Sequence, residues 1–257
     1  MEDTDDTTAP SLRQYNRRQI CGGCDRPMPV CLCHVIPEDP IQTRTKIVIL
    51  HHPHESKHKL NTVPLLTKSL RHVTTISGRR LLRHHISGNG ENNPNSSAAI
   101  YLFPPSPSSP AVTLSEIKSR ILLTNQTSPV TLIVFDGTWK HAKEMVKASA
   151  EVLREAGAVR VCLDAGFDES VSGGSIYDSE LLPRKEPFGG GVSTAEAVAR
   201  WLGTVEPEGE EIERKVIRVL REMVRLQSGF LKPMKPRPKL MKKNKQMNEE
   251  EEEEEEE

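Results

Sequence analysis

"VTLIVFDGTWKHAKEM" occupies residues 130–145. Its first half is apolar or β-branched, the pattern of a strand covered on both faces. Its second half carries the mixed spacing of a helix. A strand that turns directly into a helix is the repeating unit of a parallel α/β sheet. The turn between them is richer than a turn requires, with Asp136, Gly137, Thr138 and Trp139 in succession. Asp136 ends the strand, so its carboxylate projects beyond the sheet, where ligands of such sheets bind. Gly137 leaves room for close backbone approach. Thr138 can cap the helix, and Trp139 offers a flat surface on which a base can stack. A plainer reading makes Asp136 an N-cap and Trp139 a core anchor.

The same alternation continues on either side. "KIVIL" (46–50), "AAIYLF" (98–103) and "AVRVCL" (158–163) read as three further strands. Helices are expected at 56–72, with Pro64 as a kink or start, and at 113–124, where Thr113 and Glu116 form a capping box. Others are expected at 137–156, at 193–202 behind Ser193 and Glu196, and at 208–226. The expected fold is α/β, a parallel sheet with helices on both faces. The chemistry then belongs in the loops after residues 50, 103, 135 and 163. Residues 87–97 read as a low-complexity surface loop and 170–191 as a long irregular one.

Two of those loops are chemically unusual. "LHHPHESKHKLNT" (50–62) holds His51, His52, His54 and His58, but no carboxylate pair completes a known metal spacing. Pro53 fixes that loop, while Glu55, Asn61 and Thr62 offer polar groups near a strand end. "YLFPPSPSSP" (101–110) has a stiff Pro104–Pro105 step that leaves carbonyls free. It suits an adenine-reading wall, or only a rigid exit from the sheet.

Near the N-terminus, "ICGGCDRPMPVCLCHV" places Cys21, Cys24, Cys31 and Cys33 within 13 residues. C-x2-C followed by C-x-C supplies two chelating hooks, and a closed structural zinc site needs four ligands. His34 is a spare donor; two disulfides, or redox chemistry at Cys21 and Cys24 without a thioredoxin-like surround, are the alternatives. Arg17, Arg18 and Arg26 flank the cluster, so it reads as an RNA-gripping knuckle or a fold staple. Cys162 sits in an apolar strand and reads as core packing.

The 257 residues divide into a polar leader (1–16), a zinc-binding segment (17–40), a large α/β part (41–228) and a Pro/Lys-rich, then acidic, tail (229–257) expected to be disordered. No run of 18 apolar residues suggests a membrane span. The acidic start "MEDTDDTTAP" lacks the basic and apolar character of a targeting peptide, so the expected location is cytoplasmic or nuclear. The net charge of −1 conceals an asymmetry. With nine terminal glutamates and four leading acids set aside, residues 9–248 carry +12. A body of that sign favours a polyanionic partner such as nucleic acid.

Several motifs taken in order resemble one family. Asp136-Gly137-Thr138-Trp139 fits D-x-T-W, the signature of the DTW-domain family. His52-Pro53-His54-Glu55 followed by Asn61-Thr62 resembles that family's H-P-x-E…N-T segment. Arg184-Lys185-Glu186-Pro187 resembles its basic loop, Ser193-Thr194-Ala195-Glu196-Ala197 its S-T-x-E-A helix start, and the four cysteines its N-terminal hooks. The resemblance spans about residues 17–228. The chain departs from it at Val63, where glycine is expected, in the polar insert at 87–97 and in the acidic tail.

The resemblance implies a fold related to the knotted SPOUT methyltransferases. It also implies a tRNA-uridine aminocarboxypropyltransferase with S-adenosylmethionine as donor and tRNA as partner. In that reading Asp136 is the candidate catalytic base for uracil N3, or else only orients the substrates. Pro104, Thr138, Trp139, Ser193, Thr194 and Glu196 would surround the donor, with Glu196 alternatively just a capping-box partner. Glu55, Asn61, Arg184 and Lys185 would contact substrate. An RNA methyltransferase of similar architecture, a non-enzymatic zinc-bearing RNA-binding module and a scaffold acting through its acidic tail are the competing readings.

Overall fold

A computed structural model describes residues 19–55, 58, 60–87, 98–106, 109–124, 129–163 and 192–230, with residues 121–124 as backbone only. The polar leader, the insert after residue 87, the long loop at 170–191 with Arg184 and Lys185, and the tail beyond residue 230 lie outside the described residues.

Six strands form one sheet: β1 (Lys46–His51), β2 (Val73–Ser77), β3 (Ala98–Leu102), β4 (Val112–Thr113), β5 (Val130–Asp136) and β6 (Val159–Cys162). Their order is β2-β1-β5-β3-β6-β4, and every pairing is parallel. The expected α/β class holds. The four strands expected from sequence are β1, β3, β5 and β6, and two more join them. β2, "VTTIS", is an edge strand with three of its five residues exposed, so it lacks the apolar run that betrays a buried strand. β4 has only two residues, placed directly before a helix.

Helices cover both faces. On one face lie α1 (Val63–Ser69), α3 (Leu114–Thr124), α6 (Thr194–Val205) and α7 (Gly209–Ser228). They bury a core with Ile47, Ile49, Leu132 and Val134, centred on the fully covered Trp201. On the other face α4 (Trp139–Ala148) and α5 (Ala150–Glu155) pack with Val48, Leu50, Ile133 and Phe135. Successive residues of β1 and β5 thus serve opposite cores, as the period of two requires. A short α2 (Arg83–Ser87) precedes the insert.

Three helix boundaries differ from expectation. The first long helix is only α1, because the described residues ahead of it are held by turn hydrogen bonds: the Glu55 N–H donates to the His52 carbonyl, His58 to Glu55 and Asn61 to His58. Helix 137–156 breaks at Ser149, whose buried hydroxyl accepts the Leu81 N–H at 2.9 Å. The Ser193 helix runs further, to Val205. The box before α3 is as expected, with the Thr113 hydroxyl accepting the Glu116 N–H at 3.2 Å and the Glu116 carboxylate accepting the Thr113 N–H at 2.8 Å.

The order of strands fixes where a ligand belongs. From β1 the chain moves to β2 on one side, and from β5 it moves to β6 on the other. The crevice between β1 and β5 is therefore the topological switch point. Its C-terminal lip is the register pair His51 and Asp136. α6 spans the same two strands. At one end Thr194 meets Asp136, and beyond the other Glu206 accepts the Arg44 and Thr45 N–H groups at 3.0 and 2.8 Å.

Candidate active site

Asp136 ends β5 and is nearly covered, at 8% exposed. Its side chain faces α6, and both carboxylate oxygens are engaged. His51 Nδ1 lies 2.6 Å from Oδ2, and Thr194 Oγ1 donates to Oδ1 at 2.5 Å. A carboxylate only accepts, so His51 carries the proton on Nδ1 and presents Nε2 as an acceptor when neutral. Asp136 is not the N-cap of α4. Thr138 does that, its Oγ1 accepting the His141 N–H at 3.4 Å. The acid is thereby held for another purpose, by residues from a second strand and a helix distant in sequence.

Gly137 separates this arrangement from the opposite face. A Cβ there would stand 3.1 Å from His141 Cβ and 3.3 Å from both His52 Cβ and Met145 Cε. The space that glycine leaves is thus filled by protein. His52 stacks on His141 with ring centroids 3.8 Å apart and planes 11° apart, and His54 meets both edge-on. Burial, with His141 and His54 alongside, lowers the His52 pKa below the ordinary histidine value. The nitrogens of these three rings lie within 4.8 Å of one another. Stacked rings aim their in-plane lone pairs side by side, so converging on one cation would require the rings to turn. Nothing in the sequence joins His141 to this group, because it comes from α4, some 90 residues after its partners.

Of the other expected residues, those described have these surroundings. Trp139 is half-buried, edge-on to Phe103 at 6.1 Å, and the Arg160 guanidinium lies 5.1 Å from the Phe103 ring centroid. Arg160 also donates to the Pro104 carbonyl, so that carbonyl is taken and not free. The Ser193 Oγ caps α6 by accepting the Glu196 N–H at 3.2 Å. Glu196 itself is buried and pairs with Arg200 at 2.5 Å. Asn61 Oδ1 accepts the Val63 N–H at 2.9 Å, which starts α1. Glu55 stands close enough to His52 to act on its charge. Two surface grooves of about 460 and 450 Å³ are lined by other residues.

The four cysteines come together as the spacing predicts, all as free thiols. Cys21 Sγ is 3.5 Å from both Cys33 and Cys31, and Cys24 is 3.7 Å from Cys31. Tetrahedral zinc with bonds of about 2.3 Å sets its sulfurs about 3.8 Å apart, so this donor set fits zinc. The Cys24 and Gly23 N–H groups pull the Cys21 pKa down to about 6. Neighbouring sulfurs, Cys21 first, push Cys33 up to about 12. Four thiolates together therefore call for a cation. His34 is not a fifth ligand but lies 2.9 Å from Glu222 of α7. Arg26 turns inward to the Val30 carbonyl, and Leu32, 1% exposed, joins the main core.

The DTW domain pattern matches residues 18–228, most of the chain. The chain belongs to the DTW-domain family. Among relatives of this family, tRNA-uridine aminocarboxypropyltransferase A of Arabidopsis thaliana is 69% identical over 90% of this chain and 89% of its own length. The tRNA-uridine aminocarboxypropyltransferase 2 of Drosophila melanogaster is 28% identical over 82% of this chain and 76% of its own. That of Mus musculus is 29% identical over 94% and 80%. No solved structure matches this DTW chain. No helix among the described residues is long and apolar enough to cross a membrane.

Proposed function

We propose that this DTW protein transfers the 3-amino-3-carboxypropyl group of S-adenosylmethionine to N3 of a tRNA uridine, releasing methylthioadenosine. The observation that carries it is the Asp136 carboxylate, held by His51 and Thr194 at the switch point of a chain so similar to a named aminocarboxypropyltransferase.

A sulfonium activates each carbon bonded to it, so the product depends on which carbon stands in line with the nucleophile. Uracil N3 must lose a proton to attack. Both Asp136 oxygens already accept a hydrogen bond, one from His51 and one from Thr194, so neither faces the pyrimidine unengaged. Asp136 and His51 therefore act as a unit: Asp136 orients the imidazole and stabilises its protonated form, and His51 Nε2 accepts the N3 proton. The N3–Cγ bond forms as the Cγ–S bond breaks, and its electron pair stays on sulfur as a neutral thioether. Thr194 fixes the carboxylate from the helix side.

Thr138, Trp139, Pro104 and Ser193 line the donor side of the lip. Glu55 and Asn61 serve the RNA side, together with Arg184 and Lys185. The helix start at Ser193–Glu196 favours the donor carboxylate. Cys21, Cys24, Cys31 and Cys33 hold a structural zinc that staples the N-terminal segment to α7. The family resemblance supports a SPOUT-like knotted path, and the RNA substrate supports a cytoplasmic or nuclear location.

The test is nucleoside mass spectrometry of tRNA incubated with the protein and S-adenosylmethionine. A uridine bearing the four-carbon amino acid unit, with methylthioadenosine as by-product, is expected. A methylated uridine with S-adenosylhomocysteine, or no product, would overturn the reading.

A further inference from the structure

α7 sorts its residues by sign. Ile212, Val216, Val219, Leu220, Met223 and Val224 are buried in the main core. Arg214, Lys215, Arg218, Arg221 and Arg225 are exposed, at the three- and four-residue spacings that share one helix side. Arg214 and Lys215 share Glu211, at 3.6 and 2.9 Å. Arg225 donates twice to Glu222 at 2.7 Å, and His34 takes up the same carboxylate. Arg218 and Arg221 have no ion-pair partner among the described residues.

These two guanidiniums, with Arg225, Val35 and Ser228, line an open groove of about 460 Å³ between α7 and the cysteine segment. Glu222 is the one acid lining it, and its carboxylate is already taken by Arg225 and His34. Phe230, 64% exposed, stands just past the Gly229 that ends the helix. Guanidiniums lining an open groove suit a phosphate chain, and an exposed ring past the end of the helix suits an unpaired base.

The groove also stands at the right end of the molecule. α6 begins at Asp136 and ends beside the start of β1. Its 12 residues cover about 18 Å. α7 packs back along α6 after a turn of only three residues, so its C-terminal half returns toward the active-site lip. Arg221, 12 residues into α7, comes about level with Thr194.

We propose that this groove binds the RNA backbone, with Arg218 and Arg221 each neutralising a phosphate. The inference rests on tRNA being the substrate. A stripe of this kind adds affinity without reading sequence.

The experiment compares the full-length protein with R218E/R221E and the milder R218Q/R221Q. A tRNA transcript is titrated by filter binding across a salt series, and transfer kinetics are followed in parallel. We expect tRNA affinity to fall at least tenfold in the reversal variant, with a smaller fall in the neutral one. The slope of log affinity against log salt should shrink by about 2. KM for S-adenosylmethionine, the turnover rate at saturating tRNA and the melting temperature should stay near wild type. Unchanged affinity and slope would overturn the groove. A rise in affinity would also overturn it, and would show that the groove holds the chain's own acidic tail. If wild type binds tRNA through these arginines yet transfers nothing, the groove stands and the enzymatic reading fails.

Discussion

His51 Nδ1 and Asp136 Oδ2 stand 2.6 Å apart on adjacent parallel strands, at the last paired position of β1 and β5. Residues so paired cannot drift relative to one another without breaking the ladder that holds the sheet. Substituting either should therefore remove one shared function. Asp136→Asn and His51→Asn are each expected to lower the single-turnover rate by about 100-fold or more, with tRNA binding intact. A His51→Asn enzyme within a few-fold of wild type would show that the carboxylate acts without the imidazole.

Thr194 supplies the other hydrogen bond to the same carboxylate. Thr194→Val keeps the shape and removes the donor, leaving Oδ1 short of a partner in a covered site. The rate should drop by about tenfold or more, following the ~1–3 kcal/mol cost of an unsatisfied buried group. Thr194→Ser should recover most of it, which a simple packing role for the methyl group would not allow.

Gly137→Ala would press a methyl against His52, His141 and Met145 at 3.1–3.3 Å. A loss of about 1–3 kcal/mol of stability is expected, measured by denaturant unfolding. Gly22→Ala, with nothing within 4 Å of its Cβ, is the neutral control.

Zinc content tests the cysteine cluster. One zinc per chain is expected by elemental analysis, and Cys24→Ser should lose it. Leu32 belongs to the main core, so the loss reaches the domain itself. We expect more than about 3 kcal/mol of destabilisation.

Glu222 gives a pH signature. Arg225 first, then His34, hold its pKa down from the ordinary 4.5 to about 2. A carboxylate lowered on folding stabilises the native state above its unfolded pKa, and loses that effect as pH falls toward the folded value. Arg225 is largely exposed, so solvent screening limits the effect to about 1 kcal/mol. The stability gap between wild type and Glu222→Gln should be full near neutrality and close progressively below about pH 4.5. A gap constant with pH would contradict the pairing.

The sheet was legible where burial on both faces wrote long apolar runs, as in β1 and β5. It was illegible at β2 and β4, where an edge position or a length of two residues leaves no pattern. Asp136 stood out because a strand, a turn and a helix meet there within a few residues. Its contacts with His51 and Thr194 are not legible there, since strand pairing brings His51 from 85 residues earlier and helix packing brings Thr194 from 58 residues later. In the sequence His51 is one of four clustered histidines. Spacing in sequence suggests ligands for a metal, whereas strand alternation sends His51 and His52 to opposite faces. The cysteines were legible because chelation is local and needs no tertiary contact.

α6 reaches along β1 from one end to the other, touching Asp136 at its start while Glu206, just past its end, clasps the Arg44 and Thr45 amides. It works as a measuring rod. Removing one residue from it would swing Thr194 by about 100° and shift it by about 1.5 Å, pulling the hydroxyl off the acid even with every side chain preserved. The length of this one helix, more than the identity of most residues on it, sets how Thr194 meets Asp136.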